Sequence, residues 1–234
     1  MPRETLDSAI ERLQNEILTL GEMVRNSILE AVDSLKRRDF EASRRLIAQD
    51  QAINEKRFAI ETDTLVVIAT QQPMASDLRF LAAILEIVTE LERIADYAKG
   101  IAKINLLIGD KPLIKPLIDI PRMAQKAADM LYRALEAFVQ RDVEKAEAIP
   151  KEDDEMDALY DQVYRELMTY VISNPANLEQ ANYLLWAAHN LERAADRVTN
   201  ICERVIFTVT GEMRELDLQE DIGTRWAQKE KGEL

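Results

Sequence analysis

The sequence predicts an all-α protein, built as two tandem antiparallel three-helix bundles related by internal duplication. Three observations predict it. Apolar residues recur at steps of three and four over long stretches, the period of a helix, and no stretch alternates with period two long enough for a strand. The second half repeats the first at a nearly constant offset. Only 6 glycines and 7 prolines occur in 234 residues, few for the tight turns of an all-β or doubly wound chain.

The first helix is written by Leu6, Ile10, Leu13, Ile17, Leu20, Val24, Ile28, Ala31 and Leu35, one stripe that breaks near Asp39. The second carries Leu46, Ile53, Ile60 and Val67. The third carries Leu81, Ile84, Val88, Leu91, Ala95, Ala98 and Ala102, with Pro73 expected to open it near its first turn and Gly109 to close it. Pro112, Pro116 and Pro121 follow, the most proline-dense part of the chain and the expected hinge between the halves.

The pattern then repeats. Lys36 to Glu41 resembles Val139 to Glu144, and Asp50 corresponds to Asp153, both at an offset of 103. Leu91-Glu92-Arg93-Ile94-Ala95-Asp96 corresponds to Leu191-Glu192-Arg193-Ala194-Ala195-Asp196 at an offset of 100. The slip of three residues fits a short deletion in the turn before Pro175. The expected units are residues 1–110, residues 111–211 and a charged tail, 212–234. In the tail Leu218, Ile222 and Trp226 fall four apart, a short amphipathic stripe expected to dock on its own bundle.

Composition excludes several chemistries. With a single Cys and a single His there is no disulfide framework, no Cys/His zinc site and no redox dithiol. A net charge of −13 argues against nucleic acid as a partner. Met1 to Gln14 is charged throughout, and the longest apolar runs fall far short of a membrane span. The expectation is a soluble, cytoplasmic protein.

Chemistry concentrates in two repeated pairs of acids. Glu92/Asp96 and Glu192/Asp196 are each four apart, so each pair shares a helix face. Measured from Leu91 or Leu191, they lie about 100° and 140° around the helix and flank the buried stripe. A carboxylate pair at a bundle edge needs cations, from Lys or Arg or from a metal. In the first copy Lys99 and Lys103 share the flank; in the second those positions are Thr199 and Glu203. Asp153 and Asp157 form another four-spaced pair, expected to face the second flank, against Asp50 and Asn54 in the first. Such all-oxygen clusters favour hard cations (Mg, Ca, Mn or Fe) over zinc. The candidate metal set is therefore Asp50, Glu92, Asp96, Asp153, Asp157, Glu192 and Asp196, set against a purely salt-bridged scaffold. His189 is expected to be hydrogen-bonded, Cys202 to pack in the core, and Tyr183 and Trp186 to be helix-packing residues. Arg93 and Arg193 point away from the stripe as solvated charges or as a partner-contacting face.

The duplicated plan, the turn Gln72-Pro73-Met74-Ala75-Ser76-Asp77-Leu78-Arg79 and the twin Leu-Glu-Arg-x-Ala-Asp frames together resemble the PhoU family of phosphate-signalling proteins, over roughly Leu6 to Gly211. The resemblance implies a cytoplasmic, non-enzymatic negative regulator of phosphate uptake and of the phosphate-starvation response. Such a protein is an adaptor between a phosphate ABC transporter ATPase and a sensor histidine kinase, meeting membrane complexes only through those partners. It also implies homodimers and, in some members, multinuclear iron or other metal clusters on the acidic motifs. The second repeat departs at its turn, Asn174-Pro175-Ala176-Asn177-Leu178, so equal roles for the two faces are not implied.

The alternative is an all-helical metal-dependent phosphohydrolase. Glu152 and Glu155 supply an E-x-x-E, but the repeated motifs have three intervening residues where that chemistry needs two. A ferritin-like oxidase would need Glu-x-x-His twice, and there is one His.

Overall fold

The computed structural model describes residues 2–216, and the tail stripe of Leu218, Ile222 and Trp226 lies outside them. Among the described residues every regular element is helical: α1 (Pro2–Arg37), α2 (Phe40–Gln71), α3 (Ser76–Ile108), α4 (Asp119–Gln140), α5 (Val143–Ala148), α6 (Asp153–Ser173) and α7 (Leu178–Thr210), with single 3₁₀ turns at Pro150–Glu152 and Pro175–Asn177. All nine stripe residues of α1, the four of α2 and the seven of α3 are buried, so the helical period in the sequence is the core face of each helix.

Turns explain the breaks. Arg38 adopts φ 59° and Asp39 then caps α2, its side chain accepting from the Ala42 N–H at 2.8 Å. The second half repeats the device: Arg141 has φ 55° and Asp142 caps α5 through the Lys145 N–H at 3.0 Å. Two details depart from the expectation. Pro73 does not open α3 but stands in the loop before it, because Gln72 (φ 48°) already ends α2 in the left-handed region and Ala75 (φ 49°) turns the chain into Ser76. The middle helix of the second half is also split into α5 and α6. Pro150 lacks an N–H to donate and cannot continue the ladder from α5.

Helices α1–α3 form one antiparallel bundle and α4–α7 the other, and a single apolar core runs through both. The halves meet along α3 and α7, the most extensive helix pair, and along α1 and α4. Glycines allow the close approach. A Cβ on Gly21 would stand 2.0 Å from Leu135 Cδ1, and one on Gly100 would stand 2.9 Å from Asn190 Nδ2. Phe80 at the start of α3 stacks on Phe138 of α4, centroids 4.6 Å apart.

The proline-rich linker is tied down rather than loose. The Gln180 side chain accepts from the Ile114 N–H at 2.5 Å and donates to the Pro112 carbonyl at 3.0 Å. The buried Lys115 ammonium pairs with Glu166, and Lys111 reaches Glu179 at 3.1 Å. The expected hinge is thus fastened to α6 and to the start of α7.

Candidate functional site

Helix α3 carries Glu92, Asp96 and Lys99 on one flank, and α2 brings Asp50 against them. Lys99 Nζ lies 2.6 Å from Asp50 Oδ2 and 3.4 Å from Asp96 Oδ1. Asn54, one turn along from Asp50, donates to it at 3.3 Å. Arg57 on the same helix stands 3.9 Å from Glu92 while holding Glu61 at 2.8 Å. Burial, then the neighbouring Asp96, push the Glu92 carboxyl above the usual range, with Arg57 working against them and Asp50 adding to the shift. The hydrogen bond to Asp50 holds the Lys99 ammonium above its ordinary pKa. The structure therefore brings together Asp50, Glu92 and Asp96 of the candidate set, and places a lysine among them. Lys103, expected on the same flank, is exposed.

The second face is built on α6 and α7 from the same positions with different chemistry. Thr199 is buried where the first half has Lys99, and Tyr160 occupies the position of Arg57. Glu192 Oε2 is buried with no hydrogen-bond partner among the described residues, although His189 Nδ1 lies 2.8 Å away as an ion-pair contact. The His189 ring sits 6.1 Å from that of Tyr160, and burial, then Glu192, raise the Tyr160 phenol. Asp153, Asp157 and Asp196 are half-buried on these two helices. Asp153, Asp154, Glu147 and Thr199 line a cleft of about 430 Å³, with Lys151 and Arg214 also on its wall. Residues 214–216 form part of its wall, anchored where the Leu216 N–H donates to Glu203 Oε1 at 2.8 Å.

Among the described residues no group of three or more His, Cys, Asp or Glu side chains is arranged to hold a metal ion. The first face already contains its cation, so a hard metal does not fit there as it is built. The second face offers carboxylate donors of the right class without gathering three of them.

Arg93 and Arg193 are both exposed. Arg193 is not simply solvated: its guanidinium lies over the Tyr97 ring of α3, 5.0 Å from the centroid. Around this pair Arg197 approaches Glu90 at 3.6 Å, Asn200 donates to Glu90 at 3.3 Å, and Arg204 pairs with Glu86 at 2.9 Å. The sequence reading missed Arg57, Tyr160, Tyr97 and Arg197. Applying the offset of 103 to Arg57 leads to Tyr160 and would have exposed the exchange between the faces.

The remaining candidates are accounted for by packing or pairing. The E-x-x-E carboxylates are engaged: Glu152 takes two hydrogen bonds from Arg133, at 2.6 and 2.9 Å, and Lys126 holds Glu155 at 2.5 Å and Glu152 at 3.2 Å. Cys202 is buried, and burial pushes its thiol up to about 12. Tyr183 packs against the core as expected. Trp186 does not, being 58% exposed, because the core stripe of α7 runs through Leu184, Ala187 and Leu191 and leaves it outside.

Among the described residues no helix is long and apolar enough to cross a membrane. The PhoU domain model matches residues 6–104 and 120–205, one match in each half. A relative from Clostridium acetobutylicum, named phosphate-specific transport system accessory protein PhoU homolog, is 34% identical over 221 residues, 93% of this chain and 100% of that one. The phosphate-specific transport system accessory protein PhoU of Escherichia coli is 30% identical over 88% of this chain and 86% of its own. The crystal structure of the phosphate transport system regulatory protein PhoU from Streptococcus pneumoniae superposes with a TM-score of 0.82 at 30% identity, over 89% of this chain and 99% of that one. PhoU from Pseudomonas aeruginosa gives 0.81 at 29%, over 88% and 99%. Matched in both repeats and over nearly its whole described length, the chain belongs to the PhoU family.

Proposed function

We propose that this chain is a non-enzymatic accessory protein of phosphate transport that restrains phosphate uptake and phosphate-starvation signalling from the cytoplasm. It acts as an adaptor, docking on the phosphate ABC transporter ATPase and on a sensor histidine kinase, and reaches the membrane only through them. The names borne by its relatives supply the phosphate system. The observation that carries the docking step is the second acidic face. Asp153, Asp157, Glu192 and Asp196 there stand beside Thr199 and Tyr160, where the first face has Lys99 and Arg57. With neutral side chains at those two positions, this face carries less positive charge than the first, and an acidic surface attracts and orients a basic partner surface. In this reading a hard cation (Fe, Mg, Mn or Ca) serves only as a counter-ion that tunes the charge of the second face, and a homodimer presents two such faces. Arg93 and Arg193 flank the ridge between the halves as secondary contacts.

The test is association with the transporter ATPase and the kinase by pull-down and by calorimetry at two salt concentrations. Glu192→Lys/Asp196→Lys should lose binding at least tenfold while keeping its helical circular dichroism, and the wild-type affinity should fall with salt. Undiminished binding of the double variant would sink the docking proposal. Turnover of phosphate esters or nucleotides with Mn²⁺ or Mg²⁺ by the wild type, lost on Glu152→Gln, would favour a hydrolase instead. Sedimentation velocity reads the dimer.

A further inference from the structure

The chain turns back on itself after the last helix. Gly211, with φ 79°, ends α7, and by Leu216 the backbone has returned to the level of Glu203, where the Leu216 N–H donates to Glu203 Oε1 at 2.8 Å. Glu203 is 8% exposed, so the anchor is a buried carboxylate, and the Leu216 side chain packs against the core. The return from residue 211 to the level of residue 203 is about 12 Å of helix, within the reach of an extended segment. Residues 214–216 share a cleft wall with Asp153 and Thr199. From Leu216 the chain is therefore headed along α7 toward Asp196 and Glu192, with residues 217–234 still to follow.

The sequence of that segment matches the surface ahead of it. Leu218, Ile222 and Trp226 give a helix one apolar side, and Arg225 and Lys229, four apart, fall on the same side. A helix continuing from Leu216 antiparallel to α7 carries Arg225 about 14 Å onward and Lys229 about 20 Å onward. Measured from Glu203 along α7, Asp196 lies about 10 Å away, Glu192 about 16 Å and His189 about 21 Å. Arg225 thus arrives between Asp196 and Glu192. Trp226 arrives beside the rings of His189 and Tyr160, which stand 6.1 Å apart. The acids at the start of the segment, Asp217, Glu220 and Asp221, stay near Lys151 and Arg214 of the cleft wall.

We propose that residues 217–234 dock as a helix along α6 and α7 and cover the second acidic face with Arg225 and Lys229, so that the chain carries its own basic ligand for that face. The placement stands by itself. Its consequence, that a basic partner must displace the segment, rests on the docking reading above.

The test is a spin label on Ala227→Cys in the full chain, Cys202 being buried, read by paramagnetic broadening of backbone amides. Broadening should select Asp157, Tyr160, Glu192 and Asp196 and disappear when Arg225→Glu/Lys229→Glu is added, substitutions that leave both bundles untouched. Broadening instead at Leu18, Gly21 and Tyr132, which line an apolar groove between α1 and α4, or selective broadening nowhere, overturns the placement. Broadening unchanged by the charge reversal overturns the role of Arg225 and Lys229. A chain ending at Leu216 should bind the transporter ATPase at least threefold more tightly than the full chain at low salt. Equal binding of the two lengths overturns the shielding, whereas binding of neither sinks the docking reading and leaves the placement to the label.

Discussion

The guanidinium of Arg193, on the last helix, lies 5.0 Å above the ring of Tyr97, on the third, and so joins the two halves of the duplicated chain. The contact is possible because α3 and α7 run antiparallel. Arg204 meets Glu86 near one end of the pair and Asn190 faces Gly100 toward the other. A residue expected to face solvent or a partner is thus also a fastener between the halves.

Separating the two roles of Arg193 is straightforward. A double-mutant cycle of Arg193→Ala and Tyr97→Leu should give a coupling of about 0.5–1 kcal/mol in urea unfolding, the scale of an exposed cation–π pair. A coupling indistinguishable from zero would leave Arg193 as a surface charge only.

Asn105 is fully buried at the end of the first bundle. Its amide donates to the carbonyls of Ser34 and Asp39, at 3.1 and 3.2 Å, and to Ser43 Oγ at 2.9 Å, while its oxygen accepts from Arg38. Asn105→Leu strands these groups, and each stranded buried group costs about 1–3 kcal/mol. Urea unfolding should show a loss of that order or larger, with Asn105→Asp no better because a carboxylate cannot donate.

The linker depends on Gln180. Replacing it with Ala removes the acceptor of the Ile114 N–H and the donor to Pro112. Hydrogen exchange at Ile114 should accelerate at least tenfold, equivalent to about 1.4 kcal/mol of lost local protection. Unchanged exchange would mean that the Lys115–Glu166 and Lys111–Glu179 pairs fasten the linker without it.

Stability should fall on both sides of neutral pH for separable reasons. Hydrogen bonds from Arg133 hold Glu152 below the usual carboxylate range. As pH drops, the unfolded chain takes up that proton first, so this contribution is complete at neutral pH and lost as pH falls through the ordinary glutamate range toward the folded value. Lys99 is the mirror case, its folded pKa being raised. Its contribution is complete below the ordinary lysine range and lost as pH rises through the folded value. In melting curves taken across pH, Glu152→Gln should flatten the acid limb and Lys99→Met the alkaline limb, each leaving the other unchanged.

Cys202 should resist thiol reagents in the native protein, because burial pushes its thiol up to about 12 and withholds the reactive thiolate. Modification should appear only as the chain unfolds in urea. Reaction in buffer at the rate of a free thiol would contradict the buried placement.

Much of the architecture was readable beforehand, for a physical reason. The stripe residues of α1, α2 and α3 predicted burial one by one, since on an amphipathic helix the period itself specifies the core face. The break expected near Asp39 falls where that side chain caps α2, competing for a backbone N–H group, and Asp142 repeats the device at the matching position. Pro73 and Trp186 were harder. The first depended on left-handed turns at Gln72 and Ala75 that ordinary side chains do not advertise. The second depended on how wide a stripe the neighbours of α7 actually cover.

The acidic pairs divide in the same way. That Glu92 shares a face with Asp96, and Glu192 with Asp196, follows from residues four apart on one helix and needs no tertiary information. Which carboxylates receive a cation is decided elsewhere: Lys99 meets Asp50 across 49 residues of sequence, and Arg57 reaches Glu92 from another helix. Local spacing is set by the pitch of the helix, which every residue feels alike. The partner of a charge is set by how whole helices pack, and only folding brings that about.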